Sequence, residues 1–450
     1  MTHILPAVLL VLGGNIIIDF NTYKALKLYK PKAYSHFDES FGFWGEKRAY
    51  NFVSDPQNVA SHAFHPFMAF NIENRRFRKG DDGSPEIDVK VREIRYAAHK
   101  DGYIYSYYSF VLNELYEQEL VNRQLDSNVI AYRSVEKKCN IDFANEAFQE
   151  IAKRKNCLVI ALDFSKFFET ICHENLKRQW TGLLGVKRLP HDHWAVFKSL
   201  TKYSYTSLDR VQEELGLEGV SRRDLPSPLC APAIFRSIRK SVVVKHKEPY
   251  GIPQGSAMSA LLSNISMIDF DSKLSKFIQC DCSGYYRRYS DDILIIVALD
   301  DEKKVKKFIS ETLPQTTGSF LNLNDDKEVV SKFSVSEGGE LKCDVPVDYL
   351  GFTFDGYKTR VRSSSLSRYY RKMIQKVRAA KNRAYKSAKK GNDGRLYKRK
   401  IYRMFSHLAK RQRNFITYAQ MSNNKVDNSG VKSQLSKHWK RLQKEINKAR

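Results

Sequence analysis

The chain carries, at residues 285–297, the stretch Tyr285-Tyr286-Arg287-Arg288-Tyr289-Ser290-Asp291-Asp292-Ile293-Leu294-Ile295-Ile296-Val297. Two adjacent acids, Asp291 and Asp292, stand at a tight bend between a basic, aromatic approach and an apolar run. A carboxylate is costly to place beside a hydrophobic core unless something neutralises it, and clustered acids are usually neutralised by a divalent metal ion. The stretch therefore predicts one half of a metal site.

The other half is predicted upstream, where five consecutive apolar residues, 158–162, precede Asp163. Such a run favours a buried strand, and ligands and metals tend to bind at the C-terminal ends of strands in mixed sheets. If this strand pairs with the apolar run after Asp292, three carboxylates converge. Three acids around two Mg²⁺ ions about 4 Å apart form the clamp that is used for in-line phosphoryl transfer. The pattern therefore indicates nucleotidyl transfer.

With these acids in place, the chain resembles the reverse transcriptase family, because several of that family's motifs occur in the family's order. The motifs are Arg92-Glu93-Ile94 with Asp101 and Val129-Ile130-Ala131-Tyr132-Arg133 (fingers), Asp163 with Phe167-Phe168, the Pro253-Gln254-Gly255 loop within Gly251–Ser259, the turn Tyr289–Asp292, the lysine-bearing Leu321–Lys327, and the primer-grip segment Tyr349-Leu350-Gly351-Phe352. Each motif is weak alone, whereas the ordered set is specific. The resemblance covers roughly residues 90 to 355.

The resemblance implies a catalytic centre with two Mg²⁺ ions, or Mn²⁺ in their place. Asp163 and Asp291 are the expected metal ligands, and Asp292 is expected to assist by a weaker contact or by its charge. An isolated Asp-Asp pair is normally a turn or a helix cap, but the partner strand and the other motifs favour catalysis here. Lys327 is expected to protonate the departing pyrophosphate, with a solvated lysine as an equal alternative.

The resemblance also implies a substrate-binding set. Phe168 is expected to lie under the sugar and to exclude a 2′-hydroxyl, unless it is a plain core residue. Gln254 and Gly255 are expected to approach the incoming nucleotide or the template, because glycine allows close backbone approach. Arg92 is expected to grip the triphosphate, with a surface salt bridge as the alternative. Arg133 is expected to contact the template or the triphosphate.

The charge of the chain is concentrated at its C-terminal end. The chain has 76 Lys or Arg and 50 Asp or Glu residues; residues 356–450 hold 29 of the basic and three of the acidic ones, which leaves 47 of each in the first 355. Basic residues that neutralise phosphates release counterions, so this segment favours nucleic-acid binding over a merely solubilising tail. Interleaved aromatic residues indicate a folded, helical segment with Ile401, Phe405 and Leu408 facing inward.

We therefore predict an α+β right-hand polymerase fold with fingers and palm followed by a helical, basic thumb. The predicted domains are an N-terminal extension of unknown role (1–88), fingers and palm (89–355) and the thumb (356–450). The three prolines at 226, 228 and 232 predict irregular connections within residues 201–249.

The expected location is the cytoplasm, without membrane contact. The apolar opening Ile4–Leu12 is shorter than the roughly 20 residues that a membrane span needs. The seven cysteines show no metal-binding spacing and are expected to be reduced thiols.

The predicted reaction is RNA-templated addition of dNTPs to a 3′-hydroxyl, with a DNA product. The segment Ile94–Tyr108 and the ending Ala131-Tyr132-Arg133 are similar to the bacterial "unknown group" of defence-associated reverse transcriptases, which implies antiphage immunity with a dedicated noncoding RNA as template. The alternatives are a retron-like or group II intron-like enzyme, and a catalytically silent RNA-binding scaffold, which the three acids disfavour. The primer, and homo-oligomer formation through residues 1–88, stay open.

Overall fold

The protein is described from a computed structural model, which covers residues 10–12, 15–39, 45–79, 83–133, 137–408 and 412–448. The strands are β1 Leu10–Leu12, β2 Asn15–Ile17, β3 Phe67–Lys79, β4 Pro85–Tyr96, β5 Cys157–Asp163, β6 Ser204–Ser207, β7 Val244–Lys245, β8 Tyr285–Tyr289, β9 Asp292–Val297, β10 Val329–Val335, β11 Leu341–Cys343, β12 Val347–Tyr349, β13 Phe352–Phe354 and β14 Thr359–Val361. The predicted mixture of helices and strands is confirmed.

The helices alternate with these strands until the C-terminal part of the chain, which is helical. They are α1 Phe20–Ala25, α2 Glu46–Val53, α3 Pro56–Ala60, α4 His99–Asn122, α5 Asn140–Arg154, α6 His173–Leu184, α7 His191–Thr201, α8 Leu208–Glu214, α9 Pro232–Val242, α10 Ser259–Ile265, α11 Ile268–Lys276, α12 Glu302–Thr317, α13 Ser363–Lys389, α14 Lys398–Phe405, α15 Phe415–Lys425, α16 Val431–Leu435 and α17 His438–Asn447. No helix in these described ranges is both long and apolar enough to cross a membrane.

The chain forms two compact units, each built from three separate segments. Unit 1 comprises residues 1–132, 164–275 and 308–323, and unit 2 comprises residues 133–163, 276–307 and 324–450. The predicted boundary at residue 88 lies within β4, and the predicted division at 88 and 355 stays a prediction. Most of the predicted N-terminal apolar opening falls outside the described residues.

Unit 1 contains a four-stranded sheet in the order β4-β3-β6-β7. The strands β3 and β4 form a long antiparallel hairpin, and β6 joins β3 in parallel. The prediction of irregular connections within residues 201–249 is confirmed for the stretch between α8 and α9 that carries Pro226 and Pro228, whereas the rest of the segment supplies β6, α8, α9 and β7. Pro232 occupies the first turn of α9, where its missing N–H group has no helical partner to lose; proline content alone therefore did not exclude a helix.

The core of unit 1 surrounds the long helix α4. This helix buries a cluster of tyrosines together with Leu112 and Leu120, and Trp180 of α6 is fully buried beside it. Two polar contacts fix helix α7 to this core: the Trp180 indole N–H donates to His193 Nδ1 at 3.2 Å, and the Tyr108 hydroxyl donates to Asp192 Oδ2 at 2.6 Å. Helix α7 is thus held with His193 and Asp192 turned inward.

Unit 2 contains a five-stranded antiparallel sheet in the order β11-β10-β5-β9-β8. The run predicted as a buried strand is confirmed as the central strand β5, in which Leu158, Val159 and Ile160 are completely buried. Helix α5 contributes Ile141, Phe148 and neighbouring apolar residues to the same core. The strands β12, β13 and β14 form a second, three-stranded sheet. A rigid central strand therefore ends at Asp163.

The C-terminal helices of unit 2 have their own apolar core. It includes Tyr369, Met373, Ile401, Phe405 and Leu442. Ile401 and Phe405 face inward as predicted, but the prediction for Leu408 was wrong, since its side chain is 52% exposed. Helix α14 ends at Phe405 and Ser406 is extended, so the helical spacing that would have turned Leu408 inward is lost.

Candidate active site

Strand pairing in unit 2 brings two of the three predicted acids face to face. Strands β5 and β9 are antiparallel, and their register places Asp163 directly opposite Asp292. Asp291 precedes β9 at the same edge of the sheet. Side chains that face each other on neighbouring antiparallel strands lie about 5 Å apart at Cβ. The pairing that the two apolar runs predicted is therefore present.

The turn between β8 and β9 holds Asp291 by an unusual backbone. Ser290 has a φ of +60°, a left-handed conformation that is uncommon for residues with a side chain and that clusters at functional sites. The guanidinium of Arg288 is completely buried and donates to the Ser290 carbonyl oxygen at 2.9 Å. A buried charge of this kind requires good partners, so Arg288 fixes the turn from inside the protein.

Burial and neighbouring carboxylates raise the pKa values of Asp291 and Asp292. The pKa of Asp291 is raised by burial and by the charge of Asp163, against the lowering effect of Lys327. The pKa of Asp292 is raised to about 6 by burial and then by Asp291 and Asp163. The Asp292 side chain lies at the sheet surface beside the other two acids. The site therefore favours binding of a cation.

Lys327 lies beside the acids. Its ammonium group donates to the Asp163 carboxylate. The backbone fixes this placement, because the Asn324 N–H donates to the Asp163 carbonyl at 2.8 Å and the Lys327 N–H donates to the Asn324 carbonyl at 3.0 Å. The Lys327 side chain is 46% exposed, so its Nζ keeps access to a ligand. The structure thus brings together all four residues predicted to be catalytic.

The three carboxylates suit a hard divalent cation by chemistry. They provide only oxygen donors, which Mg²⁺ and Mn²⁺ prefer, and a cation would offset the burial and the repulsion that raise the pKa values of Asp291 and Asp292. Within the described part of the chain, however, no three Asp, Glu, His or Cys side chains are grouped so as to hold a metal ion. The Lys327 ammonium bonds one of the candidate ligands, Asp163, in this arrangement.

The predicted primer-grip residues lie on the second sheet of unit 2. Leu350 and Gly351 form the turn between β12 and β13, with φ angles of +47° and +90°. The Leu350 carbonyl accepts from the Asn140 side chain at 3.1 Å, and the Gly351 carbonyl accepts from the Arg362 N–H at 3.0 Å. The Arg362 charge also counteracts the rise in the pKa of Asp292 that burial and the other two acids cause. Arg362 therefore links this turn electrostatically to the carboxylates.

Three of the predicted substrate-binding residues come together in unit 1. The Ile252 N–H donates to the Phe168 carbonyl at 2.9 Å, and the Gln254 carbonyl accepts from the Arg95 N–H at 2.9 Å. Phe168 is half-buried, with its ring 5.6 Å from the ring of Phe167. The Pro-Gln-Gly loop is thus bonded both to the segment that follows β5 and to strand β4.

Gly255 is the tightest point of this loop. Its φ is +130°, and a Cβ atom there would lie 2.7 Å from the Arg95 carbonyl oxygen and 3.1 Å from the Ile94 side chain. Only glycine fits this position.

The two arginines that were predicted to bind phosphates lie elsewhere. Arg92 is exposed, and because alternate residues of a strand share a face, it lies on the same face of β4 as Ile94. Arg133 belongs to unit 2 and is half-buried.

Sequence reasoning missed the contributions of Arg288 and Arg362. The sequence shows Arg288 only as part of a basic approach to the turn. In a strand, alternate residues share a face, and Arg288 shares its face with Tyr286 and Ser290, which are both buried. This spacing is the signal that the Arg288 side chain points inward. Arg362 lies 70 residues after Asp292, and nothing in the local sequence marks it.

Asp101, which is predicted as part of a fingers motif, is buried. Its carboxylate accepts a hydrogen bond from the His65 N–H at 2.9 Å and lies 2.6 Å from His62 Nε2. It holds the fold together.

Comparison with known proteins identifies the family of the chain. The family model described as "Reverse transcriptase (RNA-dependent DNA polymerase)" matches residues 108–354, which is more than half of the 450-residue chain. The matched range includes Asp163, Asp291, Asp292 and Lys327. No curated protein sequence matches the chain.

Among solved structures, the chain is similar to telomerases from Candida Tropicalis. The apo enzyme is 14% identical over 63% of this chain and 46% of its own, with a TM-score of 0.35. A form truncated from the C-terminal domain is 14% identical over 64% of this chain and 55% of its own, with a TM-score of 0.38. The complex with a TWJ fragment of telomeric RNA is 15% identical over 64% of this chain and 45% of its own, with a TM-score of 0.34. The chain spans about half the length of these proteins. On the strength of the family model, the chain belongs to the reverse transcriptase (RNA-dependent DNA polymerase) family of nucleotidyltransferases.

Proposed function

We propose that the chain is an RNA-templated DNA polymerase that adds dNTPs to a 3′-hydroxyl. One observation carries the proposal: the register of β5 and β9 places Asp163 opposite Asp292, with Asp291 at the same edge. Carboxylates placed at one edge are costly without a cation, since burial and mutual repulsion raise the pKa values of Asp291 and Asp292. We infer that this edge serves a cationic ligand.

The proposed metal ligands are Asp163, Asp291 and Asp292, which would hold two Mg²⁺ ions or Mn²⁺ in their place. When bound, such ions activate an attacking hydroxyl and neutralise the leaving group. Lys327 holds a proton on Nζ next to this centre and is proposed to donate it to the departing pyrophosphate. Arg288 fixes the turn that carries Asp291, so it acts as a positioning residue.

The proposed substrate contacts are those of Phe168, the Pro-Gln-Gly loop, two arginines and the primer-grip turn. Phe168 is proposed to exclude the 2′-hydroxyl of a ribonucleotide, and Gln254 and Gly255 to lie against the nucleotide or template. Support comes from the hydrogen bond that joins the Pro-Gln-Gly loop to β4, the strand that carries Arg92. Arg92 and Arg133 are proposed to contact phosphates, since guanidinium geometry suits phosphate oxygens. Leu350 and Gly351 are proposed as the primer grip.

The proposed architecture is a right hand with fingers and palm in residues 89–355 and a thumb in residues 356–450. The thumb is proposed to hold the template–product duplex. Support comes from its 29 Lys or Arg residues against three acids and from the apolar core that joins α13, α14 and α17. A folded basic surface of this kind binds phosphates in a salt-dependent manner.

The proposed biological role is bacterial antiphage defence in the cytoplasm with a dedicated noncoding RNA as template. It rests on the similarity of residues 94–108 and 131–133 to the "unknown group" of reverse transcriptases. A retron-like or group II intron-like enzyme would share the chemistry and differ in its RNA; the Val-Thr-Gly signature of retron enzymes does not occur in the sequence. A silent scaffold would bind RNA without synthesis.

The decisive experiment compares the wild-type chain with the Asp291→Ala, Asp292→Ala double variant after purification from cells. RNA and DNA that co-purify with each protein are sequenced. We expect one RNA to be enriched with both proteins and its complementary DNA only with the wild type. Enriched RNA without DNA that depends on the two acids, in cells challenged with phage as well as in unchallenged cells, would contradict the polymerase and favour the scaffold.

A further inference from the structure

A groove of about 690 Å³ lies on the surface of unit 1 between α3 and α7, apart from the residues assigned above. Helix α7 forms one wall with His191, Trp194, Lys198 and Lys202 at its end, while Ser61 and Phe64 lie on the other. The volume is large enough for a nucleotide-sized ligand. Because α7 is fixed to the core through His193 and Asp192, the groove is pre-formed.

Trp194 is the unusual residue of this groove. Tryptophan is generally well buried, yet Trp194 keeps 40% of its surface exposed. Its indole is anchored by Phe197, with ring centroids 5.6 Å apart and planes 20° from parallel. An exposed aromatic ring that is held rigidly is a stacking platform for a nucleobase, worth about five-fold or more in affinity for each stacked base.

Charge favours an anionic ligand. Lys198 and Lys202 line the groove, and the Lys177 ammonium lies over the Trp194 ring, with its Nζ 5.0 Å from the ring centre, where a stacked base would displace it toward the phosphates. None of the described residues that line the groove is acidic. Lysines that flank an exposed ring combine phosphate binding with base stacking, which is the pattern by which proteins hold single strands.

We propose that this groove binds a nucleotide of single-stranded nucleic acid, whose base stacks on Trp194 and whose phosphates contact Lys177, Lys198 and Lys202. The proposal goes beyond polymerisation and does not require it. A duplex cannot present a free base face to Trp194, so single strands should bind in preference to double strands. The ligand is expected to be a strand entering or leaving the enzyme.

The basic C-terminal helices also bind nucleic acid under the proposed function, so the test must report on the position of binding. The full-length chain is mixed with a single-stranded RNA of about 12 nucleotides that carries 5-iodouridine, irradiated and digested with trypsin. Cross-linked peptides are identified by mass spectrometry. We expect an adduct on the peptide 189–198, in which Trp194 is the one tryptophan. Labelling confined to other peptides would overturn the proposal.

Variants separate stacking from charge and from folding. Trp194→Leu should reduce the adduct at this peptide by about five-fold or more, whereas Trp194→Phe should keep most of it, with cross-linking read at the phenylalanine. Lys198→Ala with Lys202→Ala should lower labelling and weaken its salt dependence. Lys187→Ala, an exposed lysine outside the groove, is the matched control and should change nothing. Equal labelling in Trp194→Leu and the wild type would overturn the stacking role.

Competition experiments identify which class of ligand occupies the groove. Unlabelled single-stranded RNA should displace the probe, and double-stranded RNA or an oligoglutamate peptide should not. Equal competition by the peptide, or equal labelling by free 5-iodouridine monophosphate, would overturn the proposal of a strand-binding groove. The same labelling is expected in an Asp291→Asn, Asp292→Asn background, which is not polymerase-competent under the proposed function. Failure of polymerisation and failure of this groove are therefore distinguishable.

Discussion

The carboxylate edge of unit 2 and the Pro-Gln-Gly loop of unit 1, each considered by itself, are built on opposite physical principles. At the edge, Asp163, Asp291 and Asp292 repel one another, and the pKa values of Asp291 and Asp292 are raised. In the loop, Gly255 carries no charge and matters because no Cβ atom fits beside the Arg95 carbonyl. One part depends on charge and the other on space.

The difference teaches how each part should fail. An isosteric Asp→Asn change removes charge and keeps shape, so it should abolish function at the edge while relieving repulsion. A Gly→Ala change adds one methyl group and keeps charge, so it should disturb the loop through strain. Substitutions that separate charge from volume therefore test whether the comparison is right.

The largest expected effect is the loss of polymerisation in Asp291→Asn. Removal of a preorganised charge at a phosphoryl-transfer centre should lower the rate of dNTP incorporation by about 10³-fold. The measurement is primer extension on an RNA template with Mg²⁺. The matched control is Asp300→Asn, an exposed acid beyond the other end of β9, which should retain activity. A residual rate in Asp291→Asn within ten-fold of the wild type would contradict the metal-ligand role.

A smaller loss, about 10²-fold, is expected for Lys327→Gln, because general-acid contributions are of this size. The amide keeps hydrogen bonding and removes the proton that the ammonium can donate. Single-turnover incorporation should slow while the apparent dNTP affinity changes little. If Lys303→Gln, an exposed lysine of α12, slowed incorporation as much, the special role of Lys327 would be lost.

A third, more modest effect is expected for Gly255→Ala. The new Cβ would meet the Arg95 carbonyl at 2.7 Å with φ at +130°, which should cost about 1–3 kcal/mol of folding free energy. Thermal unfolding should shift downward, and the loop should lose its bond to β4. Gly338→Ala, where no atom lies within 4 Å of the added Cβ and φ is not positive, is the control and should be nearly neutral. Equal melting temperatures of the two variants would show that the loop is not sterically limited.

Sequence alone predicted the carboxylate edge because its signals are local and chemical. The apolar run before Asp163 and the run after Asp292 each predict a buried strand, and their acids gave a reason to pair them. The pairing itself was a hypothesis until the register of β5 and β9 was known. Where residues 201–249 were judged by proline content, the helix α9 and the strands β6 and β7 were missed.

The rest of the site was hidden because it depends on partners far apart in sequence. Arg362 affects Asp292 across 70 residues, and the environment of Gly255 is made by Arg95, 160 residues earlier. Trp194 gave no sequence signal at all, since a tryptophan in an amphipathic helix is ordinarily a core residue. Its neighbour His193 is indeed buried, and only the fold shows that the two side chains point in opposite directions.

The smallest expected effect concerns stability against pH at the carboxylate edge. The pKa of Asp292 is raised to about 6 in the folded chain, against about 4 for an unfolded carboxyl, so the stability that it contributes is fully present below about pH 4 and is lost as the pH rises through about 6. Buried histidines act in the other direction, since the pKa of His173 is lowered to about 4, and the stability that this uncharged imidazole contributes is lost as the pH falls through about 4.

The measurement compares the melting temperatures of the wild type and the Asp291→Asn, Asp292→Asn double variant. Because the histidines are the same in these two proteins, the difference between the two melting temperatures reports on the acids alone. The variant should gain a few degrees over the metal-free wild type at pH 7.5 and little at pH 4, and added Mg²⁺ should stabilise only the wild type. A difference that does not vary with pH would mean that the acids do not repel one another, and the contrast with the uncharged loop would fail.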